Sequence, residues 1–295
     1  MTTVSTFIFL ILTYSSNLIL TKLALQTGEM DPCLFSFMKV ATAAFIVLTV
    51  LPNAVTQFAY RNNFSLLTTS LLFVSSIFTL SIALPDLGLV ISSLLLYGSS
   101  IVFRVLFNIS PKNIMTNLSS IFSIIIISIG AGMFFELPSI TNYNHSSLLL
   151  IIFSGVSFAL FSPDKSQIKL SYQWLRRMFM MSAIVGLILF FSIVIKSSYV
   201  VFNIDGIIYA IVTGTFSTGM FYCLWLFTEN KLVSHMTGLF SVIIVILWGV
   251  FVSAESISTS EVSAGTLIIL GILIHTLASP TTYTSPSEVN SDTTS

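Results

Sequence analysis

Charge is what this chain lacks. Its 295 residues include eleven acids and eleven bases, so 7% are charged while 55% are hydrophobic. A soluble globular chain carries roughly 25% charged residues, and a surface so poor in charge cannot face water over this length. The composition fits a protein whose outer face is lipid. Cysteine is almost as scarce. Cys33 and Cys223 belong to different apolar runs near opposite membrane faces, which argues against a disulfide between them. There is no CxxC and no His/Cys cluster, and His145, His235 and His275 are scattered. Neither a metal site nor a cofactor is expected. HExxH, GxSxG and paired acids within one apolar run are missing too, which weighs against a membrane enzyme, and no catalytic residue is assigned. A GxxxxGK loop followed by Ser or Thr is absent, so ATP-driven transport has no sequence support.

What the chain has is apolar length. A helix needs about 20 mostly apolar residues to cross the hydrocarbon core. Ten runs approach or meet that requirement: 4–25, 33–51, 66–84, 87–107, 113–135, 147–163, 174–195, 206–228, 232–252 and 262–278. Polar breaks such as "TGEMDP", "LPD", "ELPSITNYNHSS" and "ESISTSE" separate them. The first run continues through Lys22 with no positive residue before it, as an uncleaved first helix would. Four Asn-x-Ser/Thr matches, at Asn63, Asn108, Asn117 and Asn144, read as chance.

Positive charge sets the orientation. With a cytoplasmic N-terminus, the inner side receives Arg61, Arg104, Lys112, Lys165, Lys169, Arg176, Arg177 and Lys231. The outer side receives only Lys22 and Lys196, and Lys39 lies within the second run. An even number of spans then leaves both termini inside. The runs divide five and five about "ELPSITNYNHSS". Because five is odd, the second set enters the membrane from the opposite side. Inverted repeats of this kind are a transporter plan with substrate near the midplane.

The last three spans carry a more specific pattern. The stretch "GTFSTGMFYCLWLFTENKLVSHMTGLFSVIIVILWGVFVSAESISTSEVSAGTLIILGILI" resembles the second repeat of the EamA-type drug/metabolite transporter superfamily. The resemblance rests on an aromatic-rich eighth helix, a short polar turn, an acid after the ninth helix and a tenth helix reading Gly-x5-Gly. Ala254–Glu255 stands where Gly-Glu is usual, followed by Gly265 and Gly271. The chain departs from the pattern elsewhere. "FNISPKN" carries no acid after the fourth helix, Lys39 replaces an arginine near the start of the second, and mid-helix prolines are missing from the fourth and ninth. The resemblance implies that Glu255 is structural. Ser258, Ser260 and Glu261 suit the N-terminus of the tenth helix, where free N–H groups and the positive dipole end need partners.

Polar groups inside the spans are the candidates for binding. Lys39 lies about six residues into the second helix, where a charge costs roughly 2.5–3.5 kcal/mol on insertion scales. It either snorkels to the outer interface or faces a central cavity and holds an anionic group such as a carboxylate. Tyr14, Ser15, Ser16 and Asn17 form a polar cluster in the middle of the first helix, serving helix packing or substrate. Tyr222 and Trp225 share a helix face at i and i+3, as interfacial belt residues or cavity lining. Tyr97 in the fourth helix and His235 in the ninth complete the set, with Arg104 read as snorkelling inward.

The sequence therefore predicts an all-α integral membrane protein with ten transmembrane helices as two inverted five-helix repeats. Residues 1–140 and 141–279 form the repeats, and 280–295 a disordered cytoplasmic tail. The expected protein resides in the plasma or inner membrane and moves a small organic substrate by alternating access, as an exporter. The predicted site comprises Tyr14, Asn17, Lys39, Tyr97, Tyr222, Trp225 and His235, with no metal. The resemblance implies amino acids, their derivatives or amphipathic drugs; nucleotide sugars are the alternative substrates. A receptor or scaffold is the alternative of another class, disfavoured by the short loops. Lipid and substrate are the expected partners, nucleic acid is not, and a homodimer is left open.

Overall fold

The computed structural model describes residues 3–51, 63–108, 118–136, 144–161, 172–197, 200–226 and 231–278, and among them no strand occurs. The helices are α1 (Thr3–Leu25), α2 (Pro32–Val50), α3 (Asn63–Asn108), α4 (Leu118–Glu136), α5 (His145–Phe161) and α6 (Tyr172–Ser197). Next come α7 (Ile204–Val212), a π-helical segment (Thr213–Met220) and α8 (Phe221–Leu226), which form one apolar stretch. Then follow α9 (Lys231–Phe251) and α10 (Thr259–Ala278). Seven helical stretches are long and apolar enough to cross a bilayer, and α5 and Met236–Phe251 are shorter apolar helices. The expected tail 280–295 and the basic residues Arg61, Lys112, Lys165 and Lys169 lie outside the described residues.

Helix ends follow local chemistry. Asp31 caps α2 by accepting from the amides of Cys33 and Leu34 at 2.8 and 2.9 Å, with Pro32 at the first helical position. Asn203 caps α7 through the amide of Asp205. At α10, Ser258 and Glu261 form a reciprocal box: the Ser258 amide donates to Glu261 Oε2 at 2.7 Å and the Glu261 amide to Ser258 Oγ at 3.2 Å.

At 46 residues, α3 would measure about 69 Å if straight, more than twice the hydrocarbon thickness. It is not straight. Pro85 and Gly88, the latter at φ 76°, divide it into two arms. Along α5, Ser147 donates to Asp86 Oδ2 at 2.6 Å beside the break, and Ser154 donates to the Ser76 carbonyl at 2.7 Å. A Cβ on Gly155 would meet the Leu96 carbonyl at 2.5 Å. Residues 76 and 96 thus lie at the same level of α5, one on each arm, so α3 doubles back as a hairpin. The sequence places this break at Pro85–Asp86, whereas the backbone turns at Gly88. There the left-handed conformation favours glycine.

Charged groups tie off the break on both sides. Glu255, in the α9–α10 connection, accepts from the amides of Leu89 at 2.7 Å and Val90 at 3.1 Å. Lys22 donates to the Leu84 and Pro85 carbonyls at 3.4 and 2.9 Å.

The bundle is apolar outside, and its interior mixes apolar side chains with buried hydroxyls. Phe64, Ile195 and Phe251 are 82%, 80% and 78% exposed, whereas Ser70, Ser81, Ser92, Ser123 and Ser154 are fully buried. Most buried hydroxyls bond to their own helix carbonyls, as at Ser81 to Ile77. That distribution is what a lipid solvent selects, since hydrocarbon offers no partner to a polar group. The chain is a multi-pass membrane protein. Neighbours are α5 with both α3 arms, α4 with α10, α2 with α6 and with the π segment, and α1 with α9 and the π segment.

Candidate functional site

Tyr14, Asn17 and Thr21 recur at i, i+3 and i+7 on one face of α1. From that face Asn17 and Thr21 reach α2, and Tyr14 reaches α3, α5 and α8. Lys39, on α2, is completely buried, so it does not snorkel. Its Nζ donates to Asn17 Oδ1 at 2.5 Å and to Thr21 Oγ1 at 3.2 Å, and lies 5.7 Å from the Phe35 ring centre. Thr21 in turn donates to the Asn17 carbonyl at 2.6 Å, which leaves its lone pairs to Lys39. No carboxylate contacts Lys39 among the described residues. Every described acid sits at a helix end, at the α3 break or in a connection.

The π segment makes this packing close. Gly214 faces the Lys39 carbonyl and the Thr42 hydroxyl with no room for a Cβ, and Gly219 faces the Ala43 carbonyl. Ser217 is hydrogen-bonded to Ser16 across the α1 interface at 2.7 Å. A π turn widens the helix and leaves its hydrogen-bond ladder irregular, and such turns are frequent at functional sites.

One turn along α1 from Asn17, Tyr14 is the hub of an aromatic cluster. Its ring stacks on Phe221 at 4.8 Å and 10°, meets Tyr97 edge-on at 5.3 Å, and lies 6.1 Å from Phe158. Tyr222 extends the cluster through Phe73, Phe161 and Phe179 at 5.6–5.8 Å. Arg104, which the sequence reads as snorkelling, has its Nε buried, and its charge acts on Tyr14 and Tyr222.

The structure therefore joins Asn17 to Lys39, Tyr14 to Tyr97, and Tyr14 to Tyr222 through Phe221. Trp225 is half-buried at the edge of the Tyr222 cluster. The backbone of His235 is helical, but its side chain lies outside the described residues. Sequence reading passes over Thr21, Phe158, Phe221 and the Ser16–Ser217 link. Thr21 carried a signal, since it follows Asn17 at i+4. The phenylalanines did not, being indistinguishable from lipid-facing ones. No group of three or more His, Cys, Asp or Glu that could hold a metal occurs among the described residues. The arrangement offers one buried cation with neutral partners, set beside an aromatic patch.

No protein-family model matches the chain, and no curated protein is similar to it in sequence. In fold it is similar to a solved structure described only as "Crystal structure of protein". That structure shares 14% identity, with a TM-score of 0.56, over 94% of this chain and 98% of its own. At that identity the likeness concerns the fold alone, which it extends over nearly the whole chain.

Proposed function

We propose that the protein is a secondary transporter of a small organic metabolite, built as ten spans in two inverted five-helix repeats of the EamA type. One observation supports this reading: helix packing follows the exchange pattern expected of two five-helix sets related by a two-fold axis. Take the α3 arms as spans three and four and α7–α8 as span eight. Then α2 pairs with α6 and α4 with α10, each helix against its own counterpart. The remaining pairs swap: α1 packs on spans eight and nine, while α5, its counterpart, packs on spans three and four. An inverted repeat requires this pattern, and inverted repeats place their site between the halves. Tyr14, Tyr97, Phe158 and Tyr222 come from both halves and meet there.

The chain acts without catalysis, moving substrate by alternating access and exporting it from the cytoplasm. Both termini face the cytoplasm of a plasma or inner membrane, in accord with the positive bias. Reconstitution tests the activity. Proteoliposomes should show gradient-driven flux and counterflow for at least one labelled member of a panel spanning carboxylates, amino acids, amines and nucleotide sugars. Folded protein inert toward every member would favour a receptor or scaffold. Orientation is tested by labelling Glu288→Cys in intact cells, where an impermeant thiol reagent should fail to reach it.

A further inference from the structure

Lys39 differs from the other described cations near the bundle. Lys22 holds carbonyls at the α3 break and feels the charges of Glu255 and Asp86. Arg176 donates to the Leu51 carbonyl at the end of α2. Lys39 has an amide oxygen, a hydroxyl and a ring, and no counter-charge. A buried ammonium in this position is expensive unless an anion joins it. No described acid contacts Lys39.

We propose that Lys39 and Asn17 bind the carboxylate of a net-anionic substrate whose apolar or aromatic group lies against Tyr14, Phe158 and Phe221. This rests on the transporter reading above. In this structure Asn17 Oδ1 occupies the place of a carboxylate oxygen at Nζ. On binding, one carboxylate oxygen takes that place, and the Asn17 amide rotates to donate to the other. Tyr14 precedes Asn17 by three residues, about 4.5 Å along the axis. That separation suits a carboxylate and a ring joined by two or three atoms. A zwitterion fits less well, because its ammonium would lie near Lys39 with no acid to receive it. A free amine fits least.

Three probes sharing one ring test this: phenylpyruvate, phenylalanine and phenethylamine, measured by binding to the purified full chain and by flux in proteoliposomes. Wild type should bind phenylpyruvate at least tenfold more tightly than phenylalanine and show no saturable binding of phenethylamine. Lys39→Met should weaken phenylpyruvate at least tenfold without lowering the unfolding temperature, and Lys39→Arg should keep part of the affinity. The wild-type ranking stands independently if a variant misfolds. Equal affinity for the three probes, no binding of phenylpyruvate, or a folded Lys39→Met that binds it normally would each overturn the proposal. Flux of amines or zwitterions with no anion preference would sink this inference and keep the transporter. Lys39-dependent phenylpyruvate binding without flux of any compound would do the reverse.

Discussion

Replacing Glu255 by glutamine should cost stability and spare transport. Its two carboxylate oxygens take the amides of Leu89 and Val90, the first free donors after the Gly88 turn. Both residues are buried, at 1% and 6% exposure, so water cannot take over. A hydrogen bond to a charged group contributes about 1.5–3 kcal/mol, against about 1 for a neutral one. Glutamine keeps one acceptor oxygen and turns an NH2 toward the other donor. One bond is lost outright and the second falls to neutral strength. The charge that complements the N-terminus of the second α3 arm is lost as well. The expected total is about 3 kcal/mol, two factors of ten in the folding equilibrium at about 1.4 kcal/mol each. Glu255→Ala, with no acceptor, should cost more, about 4 kcal/mol. Unfolding by SDS in mixed micelles measures the loss, and flux per folded molecule in liposomes measures function. A Glu255→Gln protein of wild-type stability with abolished flux would refute the capping argument and make Glu255 a proton carrier.

Two further substitutions probe the backbone. Ala254, beside Glu255, has φ 50°, a conformation costing a side-chain-bearing residue about 1–2 kcal/mol. Ala254→Gly should therefore stabilise by about 0.5–1 kcal/mol after glycine's entropic penalty, seen as a raised unfolding midpoint; a lowered midpoint would count against it. Gly214→Ala should destabilise by about 1–3 kcal/mol, because its Cβ would overlap the Lys39 carbonyl and the Thr42 hydroxyl. Gly132→Ala, with nothing within 4 Å of its Cβ, is the control and should cost nothing in the same unfolding assay.

Helix positions were legible because hydrocarbon thickness sets run length. The sequence runs 4–25, 174–195 and 262–278 differ from α1, α6 and α10 by at most three residues at either end. Which faces meet was not legible. In a soluble helix apolar residues mark the buried face, but here lipid accepts them equally. Phe158 in the core and Phe153, 50% exposed, look alike in sequence. The partners of Glu255 were hidden for another reason. The acid was read as shaping its own turn, yet it caps amides 165 and 166 residues away, and no local pattern encodes such a contact. Glu261 does cap its own helix, and its Ser-x-x-Glu spacing was readable. For Lys39, depth alone allowed snorkelling or burial equally. Only the neighbouring α1 face, carrying Asn17 and Thr21, decides for burial.

The contacts of the charges separate structural groups from functional ones. A helix end inside a membrane protein leaves amides or carbonyls that only protein can satisfy. Asp31 and Glu261 serve this purpose at the starts of α2 and α10, and Arg176 at the end of α2. Glu255 and Lys22 serve it at the α3 break, where they also match the dipoles of the two arms. Each of these charges sits where backbone geometry demands one. Lys39 sits where none is demanded. It is seven residues inside α2, beside carbonyls already engaged in the helix, and its two acceptors are a neighbour's amide and hydroxyl. Gly214 presses the π segment onto the same turn, so an irregular stretch of helix lies against a charge whose described partners are all neutral. A helix that only needed to fold would be better served there by methionine or leucine. The buried ammonium therefore calls for an explanation outside folding, and the anionic substrate proposed above would provide it.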